Sequence, residues 1–356
     1  GMDNIVPSRR AEFIPYVAGT ASMTGTQTAG DPFDDGSEGE GRVGADFKVG
    51  LGSNLTLAGT INPDFGQVEA DPAEVNLTAF ETFFPEQRPF FIEGNQLLQG
   101  TGPGYYYSRR IGATPQGYAT GEVADSADFL DSPRYATILG AAKLTGRTSS
   151  GMSIGALAAV TQREYANLYD MTTNSFDKVA VEPSTAYLVG RVQQEFGASA
   201  STVGVTLTGL SRNFSDAEPL KQQMTSQAVS GGADWLLRMN NGQFLVGGHA
   251  GFSYIHGSDT AVTAVQMSSA HYYQRPDQDY AVLDTTRTSL SGYSLGLNAE
   301  KAGGKHWTGG LFLGAESPGF ELNDLGRLSS ADDIDSEFFM NYRETQPGKV
   351  FRNYRL

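Results

Sequence analysis

The chain has 356 residues, a formal net charge of −15, 44 glycines and no cysteine. The acidic balance, without any Lys/Arg cluster, argues against a nucleic-acid partner, and the missing thiols exclude disulfides and thiolate metal sites. Charged residues make up 18%, below the globular norm of about a quarter, and no window approaches the run of about 18 apolar residues that a membrane helix needs.

A chain this long is either two ordinary domains or one large β-domain. Gly1-Met2 followed by a polar stretch is not a signal peptide. Two-residue alternation then recurs almost from end to end. Arg10 to Met23 is the first expected strand, and a polar, acidic loop is expected over 24–41. Val43 to Leu51 alternates next, turns at Gly52-Ser53-Asn54, and returns through Leu55 to Ile61.

From Pro63 to about Pro133 the periodicity disappears. The part from Pro63 to Gly94 carries Asp64, Glu69, Asp71, Glu74, Glu81, Glu86 and Glu93, with Arg88 its single base. Phe83, Phe84, Phe90 and Phe91 flank Pro85 and Pro89. A free loop this aromatic would aggregate, so it is expected to fold inward against a wall that encloses it.

After 134 the pattern is regular. Hairpins are expected over Tyr135 to Gly146 with Met152 to Glu164, Ala186 to Phe196 with Thr202 to Arg212, and Val229 to Met239 with Phe244 to His256. The last of these turns at Asn240-Asn241-Gly242, a composition suited to positive φ. Leu290 to Lys301 with His306 to Glu316, and Ser336 to Thr345 with Val350 to Leu356, complete the series.

Two features of this series set the fold class. In Phe244 to Tyr254 one face reads Phe244, Val246, Gly248, Ala250, Phe252, Tyr254, and the other Leu245, Gly247, His249, Gly251, Ser253. In Val229 to Met239 the second face is Ser230, Gly232, Asp234, Leu236, Arg238. One apolar face and one small or polar face, over about ten residues and many strands, is the signature of a transmembrane barrel. A soluble sandwich strand also alternates, but its usual length is about five or six residues. The connections then alternate between tight turns and long excursions (24–41, 63–134, 165–185, 213–228, 257–289, 317–335), so all long loops fall at one end, as in outer-membrane barrels.

The expected fold is therefore all-β: one antiparallel transmembrane barrel of about 12–16 strands over 1–356, with 63–134 as an inserted loop or plug. Thirteen strands are counted, whereas single-chain bacterial barrels have an even number. The expectation is that a further strand belongs to a longer parent chain, in which a periplasmic domain precedes the first strand. The corresponding place is the bacterial outer membrane, with membrane lipid as one partner.

The stretch NPDFGQVEADPAEVNLTAFETFFPEQRPFFIEG, continued by YYYSRRIG, resembles a bacterial family of unknown function, domain of unknown function 5916. In it, a domain similar to carbohydrate-binding module family 9 precedes a predicted outer-membrane barrel. The resemblance implies that location and fold. It supplies no catalytic residues, and the upstream sugar-binding-like domain is not in this sequence.

The candidate site is a pore constriction or ligand-binding patch made by Glu69, Asp71, Glu81, Glu86, Arg88, Glu93, Tyr105, Arg109 and Arg110. These carboxylates would meet Arg88, Arg109, Arg110 and inward bases such as Lys48 and Arg238, and opposed charges in a pore select solutes. The alternative is that the pairs only hold the loop down. Tyr105, Tyr106 and Tyr107, with Phe90 and Phe91, would either stack on sugar rings or pack the loop against the wall.

Asp31, Asp34, Asp35, Glu38 and Glu40 offer oxygens to a hard cation, but their spacing is not that of an EF-hand. Asp324, Asp332, Asp333 and Asp335 raise the same thought. His249, His256, His271 and His306 form no metal spacing, and no Gly-x-Ser-x-Gly elbow is present. No metal and no cofactor is expected, and no enzyme.

Three functions are weighed. The first is passage or uptake of small solutes, saccharides among them. The second is a structural or ligand-binding barrel with a sealed lumen. The third is a surface hydrolase, if His256 (with Asp259 nearby) or His271 converges with carboxylates in a cleft.

Overall fold

The computed structural model describes residues 11–23, 25, 28–34, 36–63, 76–78, 81–120, 122–215 and 218–356. Among the described residues sixteen strands form in chain order: β1 (Ala11–Met23), β2 (Ser37–Leu51), β3 (Leu55–Ile61), β4 (Phe129–Asp131), β5 (Ile138–Arg147), β6 (Met152–Thr161), β7 (Glu164–Asp170) and β8 (Ser175–Glu182). They continue with β9 (Ser184–Phe196), β10 (Ser201–Asn213), β11 (Gln227–Met239), β12 (Phe244–His256), β13 (Ser289–Lys301), β14 (Trp307–Glu316), β15 (Asp333–Glu344) and β16 (Tyr354–Arg355).

Thirteen of them build one antiparallel sheet in the order β1-β2-β3-β5-β6-β9-β10-β11-β12-β13-β14-β15-β16. Strands 4, 7 and 8 form a separate three-stranded sheet. The fold is all-β and antiparallel. Its main sheet is a meander whose edges are β1 and β16, with no pairing between them among the described residues.

Registers follow the expected turns. Met239 pairs with Phe244 across the Asn240-Asn241-Gly242 turn, whose three residues all have positive φ. Five consecutive strands of the sheet, β9 to β13, have 13 residues each. At about 3.3 Å per residue each is roughly 43 Å long.

Burial along these strands is inverted relative to a soluble sheet. Val205 and Leu207 are 55% and 49% exposed, while Thr206 and Thr208 between and beyond them are 3% and 2% exposed. The cross-strand neighbours agree. Val192, Leu188, Val229, Phe252, Leu295 and Leu313 stand on the exposed face, and Arg191, Ser230, Asp234, Ser253 and Ser294 are buried on the other. Apolar groups normally go inside and polar groups out. In this sheet the packed face is the polar one.

The main apolar core consequently lies between that face and the segment folded over it. Phe91, Leu98, Tyr106 and Ile111 of the segment pack on Ile138, Leu157, Val189 and Leu210 of the wall.

Several expectations are corrected. The acidic stretch 24–41 is not all loop, because Ser37 to Gly41 already pairs with Gly19 to Met23. The 165–185 excursion holds the β7–β8 hairpin, which β4 extends. Among the described residues of 63–134 there are two short α-helices, α1 (Pro89–Ile92) and α2 (Glu122–Ser126), and 3-10 turns at Asn95–Leu97 and Ser108–Arg110. The 257–289 loop contains α3 (Asp259–Met267), capped by the Ser258 hydroxyl accepting from the Ala261 amide at 3.1 Å. At the other end, the strand expected over 350–356 is reduced to Tyr354–Arg355. No helix among the described residues is long and apolar enough to cross a membrane.

Candidate functional site

The segment 81–112 runs across the polar face of the sheet. Arg88 sets its shape. Its Nε and Nη2 donate to the Glu86 carboxylate at 2.7 Å each, its Nη1 to the Ile111 carbonyl at 2.7 Å, and its Nη2 to the Ser108 carbonyl at 2.8 Å. The guanidinium also lies over the Phe91 ring, 4.2 Å from its centroid. One buried cation thus joins the start of the segment to its return. Burial raises the Glu86 carboxyl, but the hydrogen bonds and charge of Arg88 outweigh that and hold it below its ordinary 4.5. Burial, with the Glu86 charge, pushes the Tyr106 phenol well up.

From this clamp the chain crosses the wall. Glu93 pairs with Lys48 of β2, and the Lys143 ammonium of β5 donates to the carbonyls of Phe90 and Glu93. Further on, Thr101 donates to Asp234 at 3.1 Å. Asp234, on β11, takes both ends of the Arg191 guanidinium, at 2.5 and 2.9 Å. Arg191 stands on β9, so its side chain passes over β10 to reach Asp234. Gly204 on β10 makes that route possible, since a Cβ there would meet Arg191 Nη2 at 2.5 Å. Gly100 does the same from above, where a Cβ would lie 2.5 Å from Arg191 Nη1. Thr206 and Gln193 accept from the same two terminal nitrogens, Nη1 and Nη2, at 2.8 Å each. An ion pair this buried fixes geometry more than it adds net stability.

The return limb pairs with the β14–β15 loop. Tyr107 donates its amide to the Leu325 carbonyl and Arg327 to that of Gly104, both at 2.9 Å. Arg110 clasps Glu81 with both terminal nitrogens, at 2.9 and 2.6 Å, and gives its Nε to the Gly326 carbonyl at 3.2 Å. Tyr105 is buried over Gly232 and Gly251, against Phe320 and Leu322. Burial, then the Asp234 and Glu316 carboxylates, raises its phenol.

The expected site residues therefore separate into groups. Glu81 with Arg110, Glu86 with Arg88, and Glu93 with Lys48 each form a pair. Tyr105 is packed, and Arg109 lies toward the Phe84 ring, 6.0 Å away. Glu69 and Asp71 lie outside the described residues. Arg238 does not meet the segment; it serves the β10 turn, donating its amide to Ser201 at 2.9 Å and its side chain to the Ala200 carbonyl.

Among the candidate cation acids, Asp35 and the side chains of Glu38 and Glu40 lie outside the described residues, and four of the others are engaged by protein groups. Asp31 and Asp34 accept amides of their own loop. Asp324 binds Arg212 at 2.6 Å, and Asp332 binds Tyr280 at 2.7 Å as well as Arg275. No group of three metal-ligating side chains occurs among the described residues.

The sequence left Arg191 and Glu321 unremarked. Asp234 was assigned to the polar face, but its partner sits two strands away and only the register reveals it. Gly204, between them on the intervening strand, is the one signal in the sequence. Glu321 meets His271 at 2.6 Å, and the other ring nitrogen of His271 faces the Pro318 carbonyl at 2.8 Å. The pair is closed to solvent, with His271 side-chain exposure of 0%. His256 and Asp259 do not pair: Asp259 accepts from Thr260 instead.

Two expected results follow from this geometry. Replacing His271 by Ala leaves Glu321 buried without its imidazole partner, so the contact between the 257–288 and 317–332 loops should loosen around it, while Arg275 and Tyr280 still hold Asp332. Hydrogen exchange should show faster amides in both loops, with β9 to β11 unchanged. The Glu86 clamp, in turn, should be acid-sensitive. A depressed carboxyl contributes its stabilisation fully above 4.5 and loses it as pH falls through the lower folded value. Protection factors of the Phe91 and Ile92 amides, taken relative to the intrinsic exchange rate at each pH, should hold at neutral pH and fall only below 4.5.

These features define an all-β protein whose antiparallel meander packs a folded segment on its polar face. The chain belongs to the family described as domain of unknown function DUF5916, which matches residues 7–356. Among solved structures, it is similar to the outer membrane channel DcaP of Acinetobacter baumannii, at 12% identity over 93% of this chain and 95% of that one, with a TM-score of 0.28. A comparison with curated proteins found no match.

Proposed function

We propose that this chain is the wall and constriction of an outer-membrane barrel that works in passage or uptake of small solutes, saccharides among them, without catalysing a reaction. The observation that carries the reading is the inverted burial. Val205, Leu207, Leu295 and Leu313 face outward while Thr206, Thr208, Arg191 and Asp234 are covered. An exposed apolar belt of this kind needs lipid, and a polar interior suits an aqueous conduit. The segment 81–112 would narrow that conduit, with Glu93, Lys48, Arg110 and Glu81 as its charged contacts.

A specific observation favours a second reading, a sealed structural or binding barrel. Phe91, Leu98, Ile111 and Leu157 are 0–1% exposed, so the segment closes tightly on the wall it covers. Planar-bilayer recording separates the two. A constricted channel should conduct, and deletion of residues 66–92 should raise its single-channel conductance. A barrel that is silent both before and after the deletion would establish the sealed reading.

A further inference from the structure

We propose that the cavity beside the long-loop end of β13 seats an anionic membrane lipid. The proposal rests on the membrane reading above. Strand β13 pairs with β12 along its whole length, from Ser289 to Lys301. It pairs with β14 only from Ser294 onward. The last five residues of β13 toward the long loops are therefore left without that neighbour, and a cavity of about 530 Å³ opens there.

Phe252, Tyr254 and Tyr293 line the cavity from the wall. All three belong to the outward apolar face, and Tyr293 is 53% exposed. Tyr273, Val282 and Arg287, from the loop between α3 and β13, overhang them. The cavity thus continues the face that lipid would cover and ends beneath a polar roof.

The chemistry of the roof selects the occupant. Among the described residues lining the cavity Arg287 alone is charged, on a chain whose net charge is −15. Its ionic partner, Asp284, stands 3.4 Å away. The Asp284 carboxylate is also engaged by the Thr286 amide at 3.0 Å and hydroxyl at 2.7 Å. A guanidinium held this loosely keeps donors for a phosphate, which it binds through a planar fork. Aromatic residues with apolar bodies and polar tips are the usual occupants of a membrane–water boundary. Acyl chain on Phe252, Tyr254 and Tyr293, and phosphate on Arg287, satisfy both halves.

The test uses the whole chain in vesicles of phosphatidylcholine, with and without phosphatidylglycerol. The lipids retained after gentle detergent extraction are then weighed by native mass spectrometry. Phosphatidylglycerol should be retained about tenfold over phosphatidylcholine, the factor expected for one charge-assisted contact. Arg287→Gln should abolish the preference and Arg287→Lys should keep most of it. Inorganic phosphate added to phosphatidylcholine vesicles should not substitute for the lipid. Equal retention of the two lipids, or an unchanged preference in Arg287→Gln, would overturn the proposal. So would full occupancy by inorganic phosphate. A chain that needs detergent yet shows no preference loses only this inference, whereas one that folds in plain buffer loses the membrane reading itself.

Discussion

Replacing Arg88 by Met should release the folded segment. The change leaves the Glu86 carboxylate without its cation and the Ile111 carbonyl without its guanidinium donor, and it leaves the Ser108 carbonyl with only the Ile111 amide, all in a buried place. Breaking one side of a buried pair costs about 3–5 kcal/mol. The cost falls on local opening of the segment, because Glu86, Ser108 and Ile111 all belong to it. Amide protection at Phe91, Ile92 and Leu98 should drop by on the order of a hundredfold to a thousandfold, while β9 to β12 keep theirs. In a conducting barrel the same variant should open the passage. Glu86→Gln combined with Arg88→Met should recover part of the loss, since no lone charge remains. Unchanged protection in Arg88→Met would show that the apolar contacts of Phe91 and Leu98 hold the segment unaided.

The second large effect is expected at Arg191 and Asp234. Arg191→Met strands Asp234 on the covered face, with Thr101 as its other side-chain partner. That should destabilise the protein by about 3–5 kcal/mol. Asp234→Leu should do the same by leaving the guanidinium unpaired between Gly100 and Gly204. Arg191→Met with Asp234→Leu should be near neutral, because a well-packed apolar pair commonly replaces a buried ion pair without loss. Denaturant titration in detergent measures all three, and the coupling between the single changes is the quantity that decides. Additive losses would mean that the two side chains act separately and the bridge across β10 is incidental.

Most of the wall was legible in the sequence. The alternation over Val229 to Tyr254 placed Asp234, Gly232 and Gly251 on one face, where they are found, and the tight turns at 52–54 and 240–242 fixed the registers of their hairpins. Alternation is a local property, so it survives reading without coordinates. The satellite sheet was missed for the opposite reason. Strands β7 and β8 pair with each other, and β7 also with β4, at the long-loop end, and their polar Thr172-Thr173-Asn174 turn reads like any loop. The hydrophobic core was partly legible, in that an aromatic segment had to be enclosed. Its anchors were less so. Glu86 and Arg88 are two residues apart and could be paired by inspection, but the Ser108 and Ile111 carbonyls that complete the clamp are backbone atoms. The same limit hid Lys143, whose two partners are the carbonyls of Phe90 and Glu93. Side chains bonded to main chain leave no trace in residue types, and the link from Arg191 to Asp234 needs the order of three strands.

The central claim is that the apolar face of the sheet is made for lipid and the polar face for the interior. Far-UV circular dichroism with and without detergent, paired with gel migration before and after heating, tests it most directly. The account predicts a β-spectrum only in detergent or lipid, with a folded species that migrates differently until boiled. A cooperative β-fold in plain buffer, with no heat-dependent migration, would contradict it. Val205, Leu207, Leu295 and Leu313 would then have to be covered by protein instead.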